Sequence, residues 1–282
     1  MTAGEHAWPA PAKLNLLLRI VGRRPDGYHL LQTVFQFIDL SDTLHFRLRP
    51  DGRIHRLNEV PGVAEADDLV IRAARLLQRE AACGLGADIR VEKRIPLGGG
   101  LGGGSSDAAT TLVALNHLWD CGLDSAHLIQ LGLQLGADVP IFIHGHAAWA
   151  EGVGEELSDI DPATPVYVLL APAVNIDTGL VFQDPELTRN SHRITIRDFL
   201  AGEQGNDCLA IVRKRYPAIG QVFDWLDKKA SARMTGTGAC LFATCASRSE
   251  AEVLLAERPA GVAGFVVQGM NRSPLLEALE RR

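Results

Sequence analysis

Between residues 96 and 106 the chain reads Pro96-Leu97-Gly98-Gly99-Gly100-Leu101-Gly102-Gly103-Gly104-Ser105-Ser106, with six glycines in the seven positions from Gly98 to Gly104. Without Cβ atoms, this backbone lets a ligand approach its amide N–H groups and supplies φ > 0 wherever a tight path needs it. Residues 105–119 have a helical pattern, with Ser105 or Ser106 as the expected N-cap. A glycine loop that ends on a helix N-terminus holds anions, phosphate above all. The chemistry to expect is that of a nucleotide. Gly98-x-Gly100-x-x-Gly103 matches the dinucleotide fingerprint literally but fails on context, because a second helix rather than a second parallel strand follows. No Gly-Lys-Ser/Thr stands at the Walker A spacing either. The bland alternative is a flexible linker, but this run joins a strand to an alanine-rich helix within one domain.

The elements that must hold the loop are legible around it. Alternation over 87–95 predicts the strand that feeds it, and 105–119 and 125–135 read as successive helices. Upstream, 14–21 reads as a buried strand, 23–27 as a Pro-Asp-Gly turn, and 31–39 and 43–48 as strands joined by a short turn. Residues 67–83 form an amphipathic helix with Leu69, Val70, Ala73, Leu76 and Leu77 on one face. Residues 139–151 look strand-like. The chain turns polar over 158–165, with Pro162 and Pro165, which puts a boundary between domains 1–160 and 161–282. Beyond it, 166–171 reads as a strand and 206–226 as helix interrupted at Pro217. Strands at 232–235 and 240–245 flank a second glycine turn, Thr235-Gly236-Thr237-Gly238, before a helix at 250–257 and a strand at 264–268. Strands and helices mix without a regular βαβ beat, so the fold class is α+β.

Composition narrows the function. The 282 residues are 46% hydrophobic and 22% charged, as in an ordinary folded protein, and the net charge of −6 offers no general attraction to nucleic acid or acidic membranes. Any polyanion site must be local. Five cysteines (Cys83, Cys121, Cys208, Cys240 and Cys245) form no C-x-x-C pair, which fits reduced thiols in a cytoplasmic protein. The apolar stretch 14–21 is short and broken by Asn15 and Arg19, too little for a signal-peptide core or a membrane span. His144-Gly145-His146 would put two imidazoles on one strand face, but with no third ligand in view no metal site is expected.

Three segments in order carry a resemblance: Pro11-Ala12-Lys13-Leu14-Asn15-Leu16, the loop 96–106, and Met234-Thr235-Gly236-Thr237-Gly238-Ala239-Cys240. They resemble the GHMP small-molecule kinases. Gly27-Tyr28-His29, Gly136-Ala137-Asp138-Val139-Pro140, and Thr178 to Phe182 before Asp184-Pro185-Glu186-Leu187 point to the branch that acts on a cytidine diphosphate-bearing methylerythritol in the non-mevalonate route to isoprenoids. The likeness spans nearly the whole chain. It implies an N-terminal domain like domain 2 of ribosomal protein S5, a C-terminal α+β domain, and ATP and substrate in the cleft between them.

The resemblance also implies roles. Transfer of a phosphoryl group from ATP to a tertiary hydroxyl depends mostly on positioning and charge neutralisation. The loop from Pro96 to Ser106 would hold the phosphates, and Mg²⁺ would bridge their oxygens. Asp138 is the expected general base, and Lys13 the residue that orients it and acidifies the hydroxyl. Tyr28 and Phe182 would stack on the two faces of the cytosine, His29 would bond its edge, and Asn15 and Thr178 would bond hydroxyl or phosphate groups. Lys93 and Asp68 are candidates for the adenine side. The family usually has Asn at the position of Asp68 and often at Asp107, so adenine contacts there are open. The competing readings are a GHMP kinase acting on homoserine or mevalonate, a non-catalytic nucleotide- or RNA-binding module, and a dehydrogenase.

Overall fold

The computed structural model describes residues 5–60, 63–65 and 67–282. Strands β1 (His6–Arg23) and β2 (His29–Arg49) form one long antiparallel hairpin around the Pro-Asp-Gly turn. The two strands expected within 31–48 are this single β2. The expected turn is instead a bulge of Asp39 and Leu40: Ser41 and Asp42 stay in the ladder opposite Pro11 and Ala10, while Ala12 faces Ile38. Three strands share the other edge of β2. They are β4 (Gly86–Glu92) at its end, β10 (Ala263–Met270) at its middle and β5 (Ala148–Glu151) at its start. Short β3 (Ile54–Arg56) pairs in parallel with β4, and β6 (Glu156–Asp159) pairs with β5. Through β10 the sheet continues into β7 (Val166–Ala171), β9 (Leu241–Cys245) and β8 (Arg233–Met234).

Helices cover the sheet. In the first half these are α1 (Leu69–Glu80), α2 (Gly103–Leu118), α3 (Ser125–Leu135) and α4 (Val139–His144). The second half carries α5 (Thr178–Gln183), α6 (Ile196–Leu200), α7 (Leu209–Arg215), α8 (Pro217–Asp227), α9 (Arg248–Ala256) and α10 (Pro274–Glu280). From Ser106 to Leu115 every residue of α2 is buried, the signature of a helix packed all round rather than on one stripe. One apolar core lies between α1, α2 and the first strands, and α10 returns to it with Leu275 and Ala278. A second core lies among β7, β9, α7 and α8. A third joins the halves, with Leu14, Leu16 and Ile38 against Tyr167, Leu169 and Phe242.

Two local expectations are corrected. The segment 139–151 is not a strand from its start: Pro140 sits in the first turn of α4, where its missing N–H costs nothing. Gly145 ends that helix at φ 74°, and only 148–151 is extended. The premise that His144 and His146 share a strand face therefore fails. The N-cap of α2 is Gly102 at φ 72°, not a serine, so Ser105 and Ser106 lie inside the first turn.

Candidate active site

Lys13 and Asn15 sit two apart on β1, so their side chains leave the same face. Among the named strands β1 pairs with β2; its other edge is closed by the two glycine turns near Lys13 and Asn15 and by residues 205–207 at Leu18. Lys13 N donates to Leu101 O at 3.0 Å and Asn15 N to Thr235 Oγ1 at 3.0 Å. The loop and the second turn also brace each other: Cys240 N donates to Gly99 O and Thr235 Oγ1 to Gly100 O, both at 3.1 Å. A Cβ on Gly99 would stand 2.5 Å from Cys240 Sγ, and one on Gly100, at φ +74°, 2.4 Å from Thr235 O. These glycines are demanded by close packing as well as by ligand access. Cys240 is buried under the loop, and burial pushes its thiol up to about 12, so it serves as neutral packing.

The amine of Lys13 is buried, with 2% of the side chain exposed, and its hydrogens are committed. Nζ donates to Asn15 Oδ1 at 2.6 Å and Gly100 O at 3.0 Å, and it stands 3.3 Å from Asp138 Oδ2. Its charge also lies over the Phe35 ring, 5.4 Å from the centroid. Asn15 is in turn held by Thr33, whose Oγ1 accepts from Nδ2 at 2.8 Å, which leaves one amide hydrogen uncommitted. Asp138 occupies the N-cap position of α4 yet makes no capping bond, so its carboxylate, 39% exposed, is free for the cleft.

The cleft has a volume of about 820 Å³. One wall is the loop from Pro96 to Ser105, and Lys13, Asn15 and Asp138 line it from the β1 side. The amides of Gly103, Gly104 and Ser105 open α2, where no carbonyl one turn earlier can accept them, and the helix dipole adds positive potential. A Cβ on Gly102 would lie 3.1 Å from Lys13 Cε, so this anion-attracting end stands directly beside the lysine. Tyr28, His29, Thr178 and Phe182 line the rest of the cleft, with Gly236, Thr237 and Gly238 of the second turn, which packs on Gly100, between them and the loop. Thr178 and Thr237 share a hydrogen bond of 2.9 Å between their hydroxyls. Tyr28 is 63% exposed, and Phe182 lies against His29, with ring centroids 5.0 Å apart at 25°. Burial first, then the charges of Arg189 and Arg23, hold the His29 imidazole below its ordinary pKa.

Three residues assigned to phosphate or adenine from sequence, Ser106, Lys93 and Asp68, do not line this cleft. Ser106 is fully buried and its Oγ has no hydrogen-bond partner. Lys93 lies behind the loop, where it pairs with Asp42 and with Asp107 Oδ2. Asp42 also takes the backbone N–H groups of Arg94 and Ile95, pinning the junction where β4 hands over to the glycines. Burial raises the Asp107 carboxyl above its ordinary value, against the pull of Lys93. Asp68 caps α1 through Val70 N and pairs with Arg56 at 2.6 Å. His144 pairs with Asp159, and among the described residues no group of three or more His, Cys, Asp or Glu is placed to hold a metal. Sequence reasoning missed Thr235 as a site residue, although its motif was in view. It also missed Asp42, hidden in an apparent turn, and Arg189, which sits in a loop without periodic signal.

Comparison with known proteins fits this geometry. The GHMP kinases N terminal domain matches residues 68–146, and GHMP kinases C terminal matches 187–261. The 4-diphosphocytidyl-2-C-methyl-D-erythritol kinase of Nitrosococcus oceani is 56% identical over 97% of this chain and 98% of its own. The chain belongs to the GHMP kinase family. The enzyme of that same name from Pseudomonas syringae pv. syringae is 51% identical over 99% of both chains. A crystal structure of 4-(cytidine 5'-diphospho)-2C-methyl-D-erythritol kinase superposes with a TM-score of 0.81 at 32% identity, covering 94% of this chain and 99% of that one. As a GHMP kinase the protein is a small-molecule phosphotransferase of α+β fold. No helix among its described residues is long and apolar enough to cross a membrane.

Proposed function

We propose that this GHMP kinase transfers the γ-phosphoryl group of ATP to the tertiary 2-hydroxyl of 4-diphosphocytidyl-2-C-methyl-D-erythritol, a step toward isoprenoid precursors. The observation that carries the reading is the Lys13–Asp138 pair at 3.3 Å, set beside the open N-terminus of α2 in one cleft. The identities of 56% and 51% over nearly the whole chain support the choice of alcohol.

The amides of the glycine loop, with Ser105, hold the triphosphate in this mechanism, and the helix dipole favours its charge. Asp138 takes the proton of the attacking hydroxyl. Lys13, fixed by Asn15 and Gly100, orients that carboxylate and stabilises negative charge growing on the oxygen. Little covalent work falls to the protein, so the rigid hold on Lys13 matters more than its basicity. Mg²⁺ suits such a site, because it keeps waters and phosphate oxygens and needs only one or two protein oxygens. Asp138 would be one such oxygen donor. Ser105 Oγ would be another; it lies 4.0 Å from where a Cβ on Gly136 would stand. When bound, the ion would offset phosphate charge. Beyond the second turn Tyr28 and Phe182 flank the pyrimidine, His29 bonds its edge, and the hydroxyl of Thr178 and the spare amide hydrogen of Asn15 meet the sugar or diphosphate. We take 1–160 and 161–282 as the two domains, with each of the first two cores mostly in one of them; α10 gives Leu275 and Ala278 to the first, and β1 gives Leu18 and Ile20 to the second.

ADP release with the cytidylated alcohol, mevalonate and homoserine tests the assignment. Turnover of the first alone is expected, and preference for an alcohol without cytidine overturns it.

A further inference from the structure

The loop after α5 carries a cation that the chemistry above does not use. Arg189 turns its guanidinium inward. Nε donates to His29 Nε2 at 3.2 Å, one terminal nitrogen to Leu187 O at 3.0 Å, and the other to Phe182 O and Asp184 O, each at 2.8 Å. The Phe182 ring stacks on the same imidazole. One planar fork therefore fixes the backbone of the aromatic and the edge of the histidine together.

A guanidinium has five donors, no acceptor, and does not give up its proton. The ring nitrogen that faces it must offer a lone pair. Nε2 of His29 is thus the acceptor, and the single proton of the neutral ring sits on Nδ1. Nδ1 is the nitrogen left for a ligand. Burial, then the charges of Arg189 and Arg23, oppose a second proton on the ring. The difference matters to a pyrimidine. Cytosine presents adjacent acceptors at N3 and O2, whereas N3 of uracil carries a hydrogen.

We propose that Arg189 is a positioning residue that fixes His29 as an N–H donor at Nδ1, and that this fixed donor selects cytosine over uracil at the nucleotide end of the alcohol substrate. The inference rests on the proposed cytidine site. With Arg189 removed, the imidazole can exchange tautomers and turn a lone pair toward N3–H of uracil. Sites built to bond a particular polar group reject analogues that lack it by large factors, on the order of 10⁴. Loss of the lock is expected to cut the cytidine-to-uridine ratio of kcat/KM at least about tenfold.

The test uses full-length enzyme labelled with ¹⁵N-histidine, together with steady-state kinetics on the cytidylated alcohol and its uridine diphosphate counterpart. In the free wild-type enzyme the His29 proton is expected on Nδ1. R189M is expected to shift it toward the Nε2–H form and to lose cytidine preference, in KM more than in kcat. R189K, which keeps a charged donor, is expected to recover part of both. A wild-type His29 protonated on Nε2 overturns the proposal, as does an R189M enzyme with unchanged base preference. If R189M does not fold, the wild-type tautomer and the R189K base preference decide by the same criteria. Wild-type enzyme that ignores the cytidylated alcohol sinks the substrate assignment instead, and the tautomer of the free enzyme still reports on Arg189.

Discussion

Replacing Asp138 by Asn separates chemistry from stability at this cleft. The carboxylate caps no helix N–H, is 39% exposed, and among the described residues has one ionic contact, at 3.3 Å to Lys13. A partly exposed ion pair contributes about 0–1 kcal/mol, and a charge at a helix start about 0.3–1 kcal/mol. Asp138→Asn is therefore expected to lower Tm by less than about 6 °C in a chain of this size. The amide cannot take a proton from the hydroxyl. A lost general base lowers kcat by about 10²–10⁴-fold, equivalent to about 3–5 kcal/mol of barrier. Thermal melting and coupled ADP release on the same preparation measure both. Because Lys13 acts through the same oxygen, the Lys13→Met/Asp138→Asn double variant is expected to be little slower than the worse single variant. A kcat within tenfold of wild type refutes the base assignment. A Tm that collapses in step with kcat refutes the view that Asp138 is there for chemistry rather than for the fold.

Gly100→Ala combines a left-handed φ of +74° with a Cβ 2.4 Å from Thr235 O, and strain plus overpacking is expected to cost about 2–5 kcal/mol. Calorimetry checks this, and an unchanged Tm would mean the two turns are not jammed together as described. Asn15→Ala removes the 2.6 Å acceptor of Lys13 Nζ, so kcat is expected to fall more than substrate KM rises; the reverse pattern would make Asn15 chiefly a substrate ligand. Asp107→Asn tests the buried carboxylate behind the loop, whose folded-state pKa lies above its ordinary 3.8. The native protein holds that proton longer than the unfolded chain, so wild-type stability falls as pH climbs past 3.8. Denaturant melts should show the gap between variant and wild type widening in the variant's favour with rising pH; a gap independent of pH would place no titrating burden on Asp107.

The site was legible where chemistry constrains the backbone, and obscure where it constrains only tertiary neighbours. The glycine loop, Lys13, Asn15, Tyr28, His29, Asp138, Thr178 and Phe182 meet in one cleft because each belongs to a short motif with its own local geometry. Ser106 and Lys93 belong to the same motif neighbourhood, yet helix phase turns one into the core and a pair of aspartates draws the other behind the loop. Sequence spacing fixes which residues are near the phosphates, not which way each side chain leaves a helix whose N-cap slides by three or four positions. That slide came from reading serine as the N-cap, when Gly102 with φ 72° ends the loop and begins the helix. The segment after Asp138 misled in a similar way. Val139, Ile141 and Ile143 alternate like a strand, but Pro140 favours a first helical turn and the surrounding core buries all sides. The error bears on mechanism: a strand would have tied the backbone of Asp138 into a ladder, whereas the uncapped start of a short helix leaves its carboxylate unclaimed beside Lys13. Arg189 lies at the other extreme, because its partners are three backbone carbonyls and a histidine 160 positions away, and no periodicity or spacing encodes such a grip. The part of the cleft that sets nucleobase preference thus depends on long-range contacts, while the part that moves phosphate is written in consecutive residues.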